Sequence, residues 1–104
     1  MATLNMEGPF PLTVTSIDAH VPKGKIGNYG LGYTQGTDGT FIVKYVGRSD
    51  TDLNARLKDH VASYKEFKFS LAASAKEAYA KELRNYTDFG GNEALDNEIE
   101  PAKP

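Results

Sequence analysis

Residues 27–47 read GNYGLGYTQGTDGTFIVKYVG, and this stretch decides the fold. Tyr29, Leu31 and Tyr33 alternate with Gly30 and Gly32, the period of two of a strand whose large side chains share one face. Thr34 to Gly39 is a run of turn formers in which Asp38-Gly39 is the strongest hairpin signal. Phe41, Val43 and Tyr45 then alternate again, and Gly47 closes the run. The spacing predicts a β-hairpin over 27–46, with Phe41, Val43 and Tyr45 on one face of its second strand.

After the hairpin, Ser49, Asp50 and Thr51 are candidate N-caps for a helix whose apolar residues are Leu53, Leu57, Val61 and Tyr64. A third strand is expected at about Lys65–Leu71, with Phe67, Phe69 and Leu71 on one face. Ser74 and Glu77 form a capping box that opens a second helix, running to about Tyr86 and stopped by Asp88-Phe89-Gly90-Gly91. Beyond it the chain is polar and Pro-containing, with Leu95 and Ile99 as anchors to the core. Before the hairpin, residues 1–24 carry Gly8, Pro9, Pro11, Pro22 and Gly24 and read as an irregular lead-in with room for one short strand at Leu12–Ile17. The expectation is therefore an α/β protein of the α+β kind: a small, three-stranded, mainly antiparallel sheet flanked by two principal helices. Residues 25–101 form its domain and 102–104 a tail.

Composition narrows the function classes. With 104 residues the chain buries roughly 65% of its unfolded surface, enough for one modest domain. Hydrophobic residues at 39% and charged residues at 25% exclude a disordered or fibrous chain. The absence of cysteine excludes a disulfide framework, a thiolate metal site and a cysteine nucleophile. No apolar run approaches the roughly 18 residues of a membrane span, and Met1 to Phe10 lack a signal-peptide pattern, so the expected setting is cytoplasmic. Net charge is −2, but its distribution is uneven. Asp88, Glu93, Asp96, Glu98 and Glu100 against Lys103 make the last 18 residues acidic, leaving the body with a surplus of two positive charges. That surplus permits a phosphate partner without demanding one.

Three polar residues fall where the helical stripes call for apolar ones. The second helix reads Ala75, Ala78, Tyr79, then Glu82, Leu83 and Tyr86; the first reads Leu53, Arg56, Leu57, His60, Val61 and Tyr64. A buried charge is costly unless partnered. One explanation is an internal Glu82–Arg56 salt bridge. The other is a half-open site, in which Arg56 receives an anion through its planar fork and Glu82 receives a divalent cation that keeps most of its water.

The pattern also resembles the GIY-YIG nuclease superfamily. Gly27-Asn28-Tyr29 and Tyr45-Val46-Gly47 stand for its two name motifs on adjacent strands. Tyr45-Val-Gly-Arg-Ser, then Leu53-Asn-Ala-Arg56-Leu57, His60, a helix bearing Glu82 and a trailing Asn follow in the family's order over about residues 25–101. The resemblance implies a metal-dependent endonuclease that hydrolyses phosphodiester bonds in DNA with a single Mg²⁺ (or Mn²⁺). Under it, Tyr29 orients or deprotonates the attacking water and Tyr45 contacts the same water or the phosphate. Arg56 neutralises charge on the phosphate in the transition state. Glu82 is the protein's ligand to the cation, and His60 takes part in proton transfer. Arg48, in place of a basic or polar residue after the second motif, and Asn97, the nearer match to the trailing Asn with Asn92 as competitor, are substrate contacts. The chain departs from the pattern at Asn28, where the family has Ile and which is tolerable if that side chain faces outward, in the longer hairpin loop, and at Glu100-Pro101, where a related branch has His-Pro. A surplus of two charges offers little affinity for DNA, which points to branched or structured DNA, a partner protein or a homodimer. The rival is a non-catalytic module of the same fold that binds nucleic acid or protein through its surface.

Overall fold

The computed structural model describes residues 4–37 and 39–97, so Asp38, Ile99, Glu100-Pro101 and the 102–104 tail lie outside the described residues. Among these the architecture is mixed α+β. The hairpin is present as β2 (Gly27–Gln35) and β3 (Thr40–Ser49), paired antiparallel from Gly27↔Ser49 to Gln35↔Thr40. Strand β4 (Glu66–Leu71) adds to the other side of β2, Tyr29 lying opposite both Gly47 and Phe69. The sheet has four strands rather than three, in the order β1-β4-β2-β3, because the lead-in supplies β1 (Glu7–Pro11). Its two prolines fit an edge position, where one side of a strand needs no ladder donors.

The strand expected at Leu12–Ile17 is instead a helix, α1 (Val14–His20). Thr13 caps it, its hydroxyl accepting from Ser16 N–H at 3.2 Å. Leu12 and Ile17 are five residues apart and a strand would send them to opposite faces; the capped helix brings both, with Val21, into one core. Helix α2 (Leu53–Lys58) is capped by Asp52, not by Ser49, Asp50 or Thr51. The Asp52 carboxylate accepts from Ala55 N–H at 3.3 Å and Gly24 N–H at 3.0 Å, which holds it below the usual carboxylate range. Helix α2 also ends earlier than its apolar pattern predicts. Asp59 and His60 N–H groups donate to Arg56 and Leu57 carbonyls three residues back, tightening the last turn, and Ala62 takes a left-handed φ of 78°. Helix α3 (Ala75–Asp88) begins as expected, with Ser74 Oγ accepting from Glu77 N–H at 3.2 Å and Glu77 accepting from Ala73 N–H at 3.1 Å. A short α4 (Gly91–Ala94) follows.

Two cores lie on the two faces of the sheet. Tyr29, Leu31, Phe67 and Phe69 pack with Leu12, Ile17, Val21, Leu53 and Leu57 of the α1/α2 side. Val46 packs with Leu4, Tyr86 and Leu95 on the α3 side, joined by Phe41 and Val43. Phe41, Val43 and Tyr45 therefore do not share a face. The register slips between Leu31↔Tyr45 and Gly32↔Val43, a β-bulge that inserts Lys44 and turns Tyr45 toward α2. No helix among the described residues is long and apolar enough to cross a membrane.

Candidate active site

Strand β3 is the sheet edge beside α2, and the residues singled out in the sequence gather across it. On the α2 face, Tyr29 is 1% exposed, and its ring lies over Gly47, where a Cβ would overlap Cζ and Oη. Glycine is thus required for the phenol to lie flat on the sheet. The Tyr29 hydroxyl and His60 Nε2 are 2.9 Å apart. The Tyr29 and Tyr45 rings lie 6.3 Å apart and nearly parallel, at 13°. His60 sits 5.4 Å from the Tyr29 ring and 5.2 Å from Tyr45. Burial first, and then Tyr45, push the Tyr29 phenol well above its ordinary pKa, while Arg56 opposes the shift. The phenol accordingly keeps its proton, and it can donate to His60 Nε2 when the imidazole proton sits on Nδ1. Burial and then the Arg56 charge lower the His60 pKa, so the imidazole is neutral near pH 7.

Arg56 is not in an apolar stripe. It stands at the exposed rim, its side chain 52% accessible and 4.0 Å from Asp59, and Tyr29 raises its pKa. Because α2 ends at Lys58, Arg56 and His60 do not follow one helical face; the tightened turn brings His60 inward and leaves Arg56 outward. Arg48, Asp50, Asp52, Arg56 and Asp59 line an open groove of about 360 Å³ at this rim.

Glu82 lies on the opposite side of the edge strand, on α3, and is 8% exposed, as its position in the stripe requires. Its partner is not Arg56. Arg48 Nη1 donates to Glu82 Oε1 at 2.5 Å, while Arg48 Nε donates to Asp50 at 2.9 Å and the guanidinium lies over the Tyr79 ring at 5.2 Å. Arg48 is thus a strand residue, its side chain 11% exposed, rather than a solvated loop charge. Burial raises the Glu82 pKa, and Arg48 opposes the shift without cancelling it. Arg56 and Tyr29 act on Glu82 only through the electrostatic field.

Asn97 is 6% exposed and clamps the free edge of β3. Its Oδ1 accepts from Val46 N–H at 3.0 Å and its Nδ2 donates to Val46 C=O at 2.7 Å, as a neighbouring strand would. Asn92, the other candidate, sits on α4. Asp96 accepts from the Tyr64 hydroxyl at 2.8 Å, tying the same segment to the turn that carries His60. Asn28 faces inward, so the condition for tolerating it there is not met: it is fully buried and donates to Ala78 C=O at 2.8 Å. Asn28 and Asn85, 3% exposed, make the α3 interface polar around Glu82, and Asn28 Oδ1 and Asn85 Nδ2 have no partner among the described residues. Neither this polar interface nor the Asp50 partnership was legible in the sequence. The only signal was that Asn85 follows Glu82 by three on the same helical face.

Among the described residues no group of three or more His, Asp or Glu side chains is placed to hold a metal. Compared with known proteins, the chain matches no family model, no curated protein and no solved structure.

Proposed function

We propose that the protein is a metal-dependent endonuclease that hydrolyses phosphodiester bonds in DNA, in the manner of the GIY-YIG superfamily that its sequence resembles, in a cytoplasmic setting. The observation that carries this reading is the Tyr29 hydroxyl 2.9 Å from His60 Nε2, with the Tyr45 ring alongside and the Arg56 charge acting on both Tyr29 and His60. Such a group of donor, acceptor and cation suits a reaction in which a water loses a proton while charge grows on a phosphate.

The residues divide the work by their protonation. Tyr29 stays protonated, so it does not act alone as a base. A water that donates to the Tyr29 oxygen is activated as the phenol passes its own proton to His60 Nε2, which is free to take it. Tyr45 flanks the same position and orients the water or the scissile phosphate. Arg56, permanently charged and exposed at the rim, receives the phosphate oxygens.

Glu82 is the carboxylate available to a cation, and its donor chemistry fits Mg²⁺ or Mn²⁺, which need only one or two carboxylates and otherwise keep water and substrate oxygens. When bound, the cation would polarise the phosphate and stabilise the leaving oxygen. Arg48 already holds Glu82 Oε1, so a cation would share the carboxylate with that guanidinium or displace it.

The Arg48–Glu82 pair also favours the second reading, a non-catalytic module that binds nucleic acid or protein, in which Glu82 is structural. Nicking of supercoiled plasmid with Mg²⁺ or Mn²⁺ separates the two. Metal-dependent nicking that vanishes in Glu82→Ala and with EDTA supports the nuclease. Inactivity of the folded wild type on plasmid, branched and single-stranded DNA supports the binding module.

A further inference from the structure

Arg48 is held more firmly than a residue waiting for substrate needs to be. Its guanidinium is interposed between two carboxylates, Glu82 on α3 and Asp50 on the loop after β3, and is covered on one face by Tyr79. Both side chains of the Arg48–Glu82 pair are 11% exposed, so the attraction is weakly screened. Arg48 already neutralises this carboxylate through Oε1, so a divalent ion at Glu82 would meet the guanidinium's charge across the same carboxylate. Two cations do not share one nearly buried carboxylate without strong repulsion.

We infer that Arg48 is the resident counter-cation of Glu82, and that its guanidinium must swing away before the carboxylate takes a divalent ion, so that Arg48 throttles metal binding. The inference rests on the reading of Glu82 as the metal ligand. Asp50 makes the exchange feasible. It is 35% exposed and already bonded to Arg48 Nε, so Arg48 keeps a partner when it leaves Glu82. An incoming phosphodiester strengthens the exchange, since a phosphate is a second anion for the displaced fork. Metal and substrate then promote each other's binding through Arg48, by the reciprocity that any such coupling obeys.

The test is Mn²⁺ binding, read by the free-ion electron paramagnetic resonance signal, for the wild type, Arg48→Met, Glu82→Gln and the Arg48→Met/Glu82→Gln double variant, with native folding checked by circular dichroism. Arg48→Met should bind Mn²⁺ at least about tenfold more tightly than the wild type, and the gain should disappear in the double variant. A natively folded Arg48→Met that binds no tighter than the wild type overturns the inference, as does a gain that survives Glu82→Gln. If Arg48→Met does not fold, Arg48→Gln gives the same comparison, because its neutral amide fills part of the same space and brings no positive charge to Glu82. A wild-type measurement needs no variant: in a ¹⁵N-labelled sample, Mg²⁺ should shift the Arg48 Nε–H signal in step with metal binding. Metal bound with that signal unmoved overturns the inference. The outcomes are separable from the parent reading. Tighter Mn²⁺ binding in Arg48→Met without nicking on any DNA retains the throttle and removes the nuclease; nicking by a wild type whose metal affinity is indifferent to Arg48 does the reverse.

Discussion

Replacing Asn97 by Ala should cost about 2–4 kcal/mol of folding stability, through two backbone groups left without partners. The Asn97 amide accepts from Val46 N–H at 3.0 Å and donates to Val46 C=O at 2.7 Å, and the residue is 6% exposed, so water does not readily take its place. A buried donor or acceptor left unsatisfied costs about 1–3 kcal/mol, and two sit on the same residue here. Against a total stability of about 5–15 kcal/mol this is a large fraction. For a domain of about 100 residues it should lower the melting temperature by about 10–25 °C. Urea unfolding followed by far-ultraviolet circular dichroism gives the free energy directly. Asn97→Asp is the informative companion, since it keeps an acceptor for Val46 N–H but turns a carboxylate toward Val46 C=O. Its loss at pH 7 should be at least as large and should shrink as the carboxyl is protonated. An Asn97→Ala protein within about 0.5 kcal/mol of the wild type would refute the argument that Asn97 serves as a substitute strand.

Three further outcomes follow from the same contacts. Glu82→Ala should leave stability within about 1 kcal/mol of the wild type, because Arg48 retains Asp50 and a desolvated carboxylate is removed; a loss above 3 kcal/mol in urea would make the ion pair structural. The His60 pKa is lowered by folding, so the native state binds fewer protons there than the unfolded chain, and the resulting stability is present above the ordinary value of 6.5 and lost as pH falls through the native one. Wild-type urea midpoints should therefore drop more between pH 7.5 and 5.5 than those of His60→Gln, and equal drops would argue against a desolvated imidazole. Gly47→Ala should destabilise by about 1–3 kcal/mol and break the Tyr29–His60 contact, seen as a changed His60 ring signal by nuclear magnetic resonance; a native-like signal would mean that the ring relaxes at no cost.

The hairpin, β4, the capping box of α3 and the buried position of Glu82 were all legible, because each rests on local pattern. What the sequence concealed rests on contacts distant in the chain. The strand β1 is formed by pairing Phe10 with Phe67 and Glu7 with Phe69, which no period in a Pro-rich segment announces. Helix α1 replaced a β-rich pattern because a cap at Thr13 and burial of Ile17 and Val21 outweighed the propensity of valine and threonine. At the site, Tyr29, Glu82 and His60 were recognisable as residues, but their partners were not. One of the two explanations paired Glu82 with Arg56, but it is held by Arg48, since a helix stripe says that a charge is buried and nothing about which strand faces it. Asn28, tolerable in the family pattern only if it faced outward, is inside, because its Cα pairing with Arg48 and Ser70 sets it beneath α3.

The bulge at Lys44 decides whether the residues of the candidate site meet at one sheet edge. Phe41 and Val43 belong to the α3 side of the sheet, where they pack against the cluster of Leu4, Val46, Tyr86 and Leu95. In an unbroken strand Tyr45 would follow them there, and Arg48 would point toward α2. One inserted residue reverses the phase for everything after it. Tyr45 joins Tyr29 and His60 on the α2 side, Gly47 comes to lie under the Tyr29 ring, and Arg48 turns to meet Glu82. The two halves of the site, phenol and imidazole on one face and carboxylate and guanidinium on the other, are thus brought to a single sheet edge by one backbone irregularity. A period-two reading cannot locate such an insertion, because the residues on either side of it each alternate correctly. The bulge is also why the edge needs Asn97. A strand that has lost regular pairing geometry at residue 44 is re-secured by Asp96 N–H at Lys44 C=O and by the Asn97 amide at Val46, so the segment that holds the edge also fixes the phase on which the site depends.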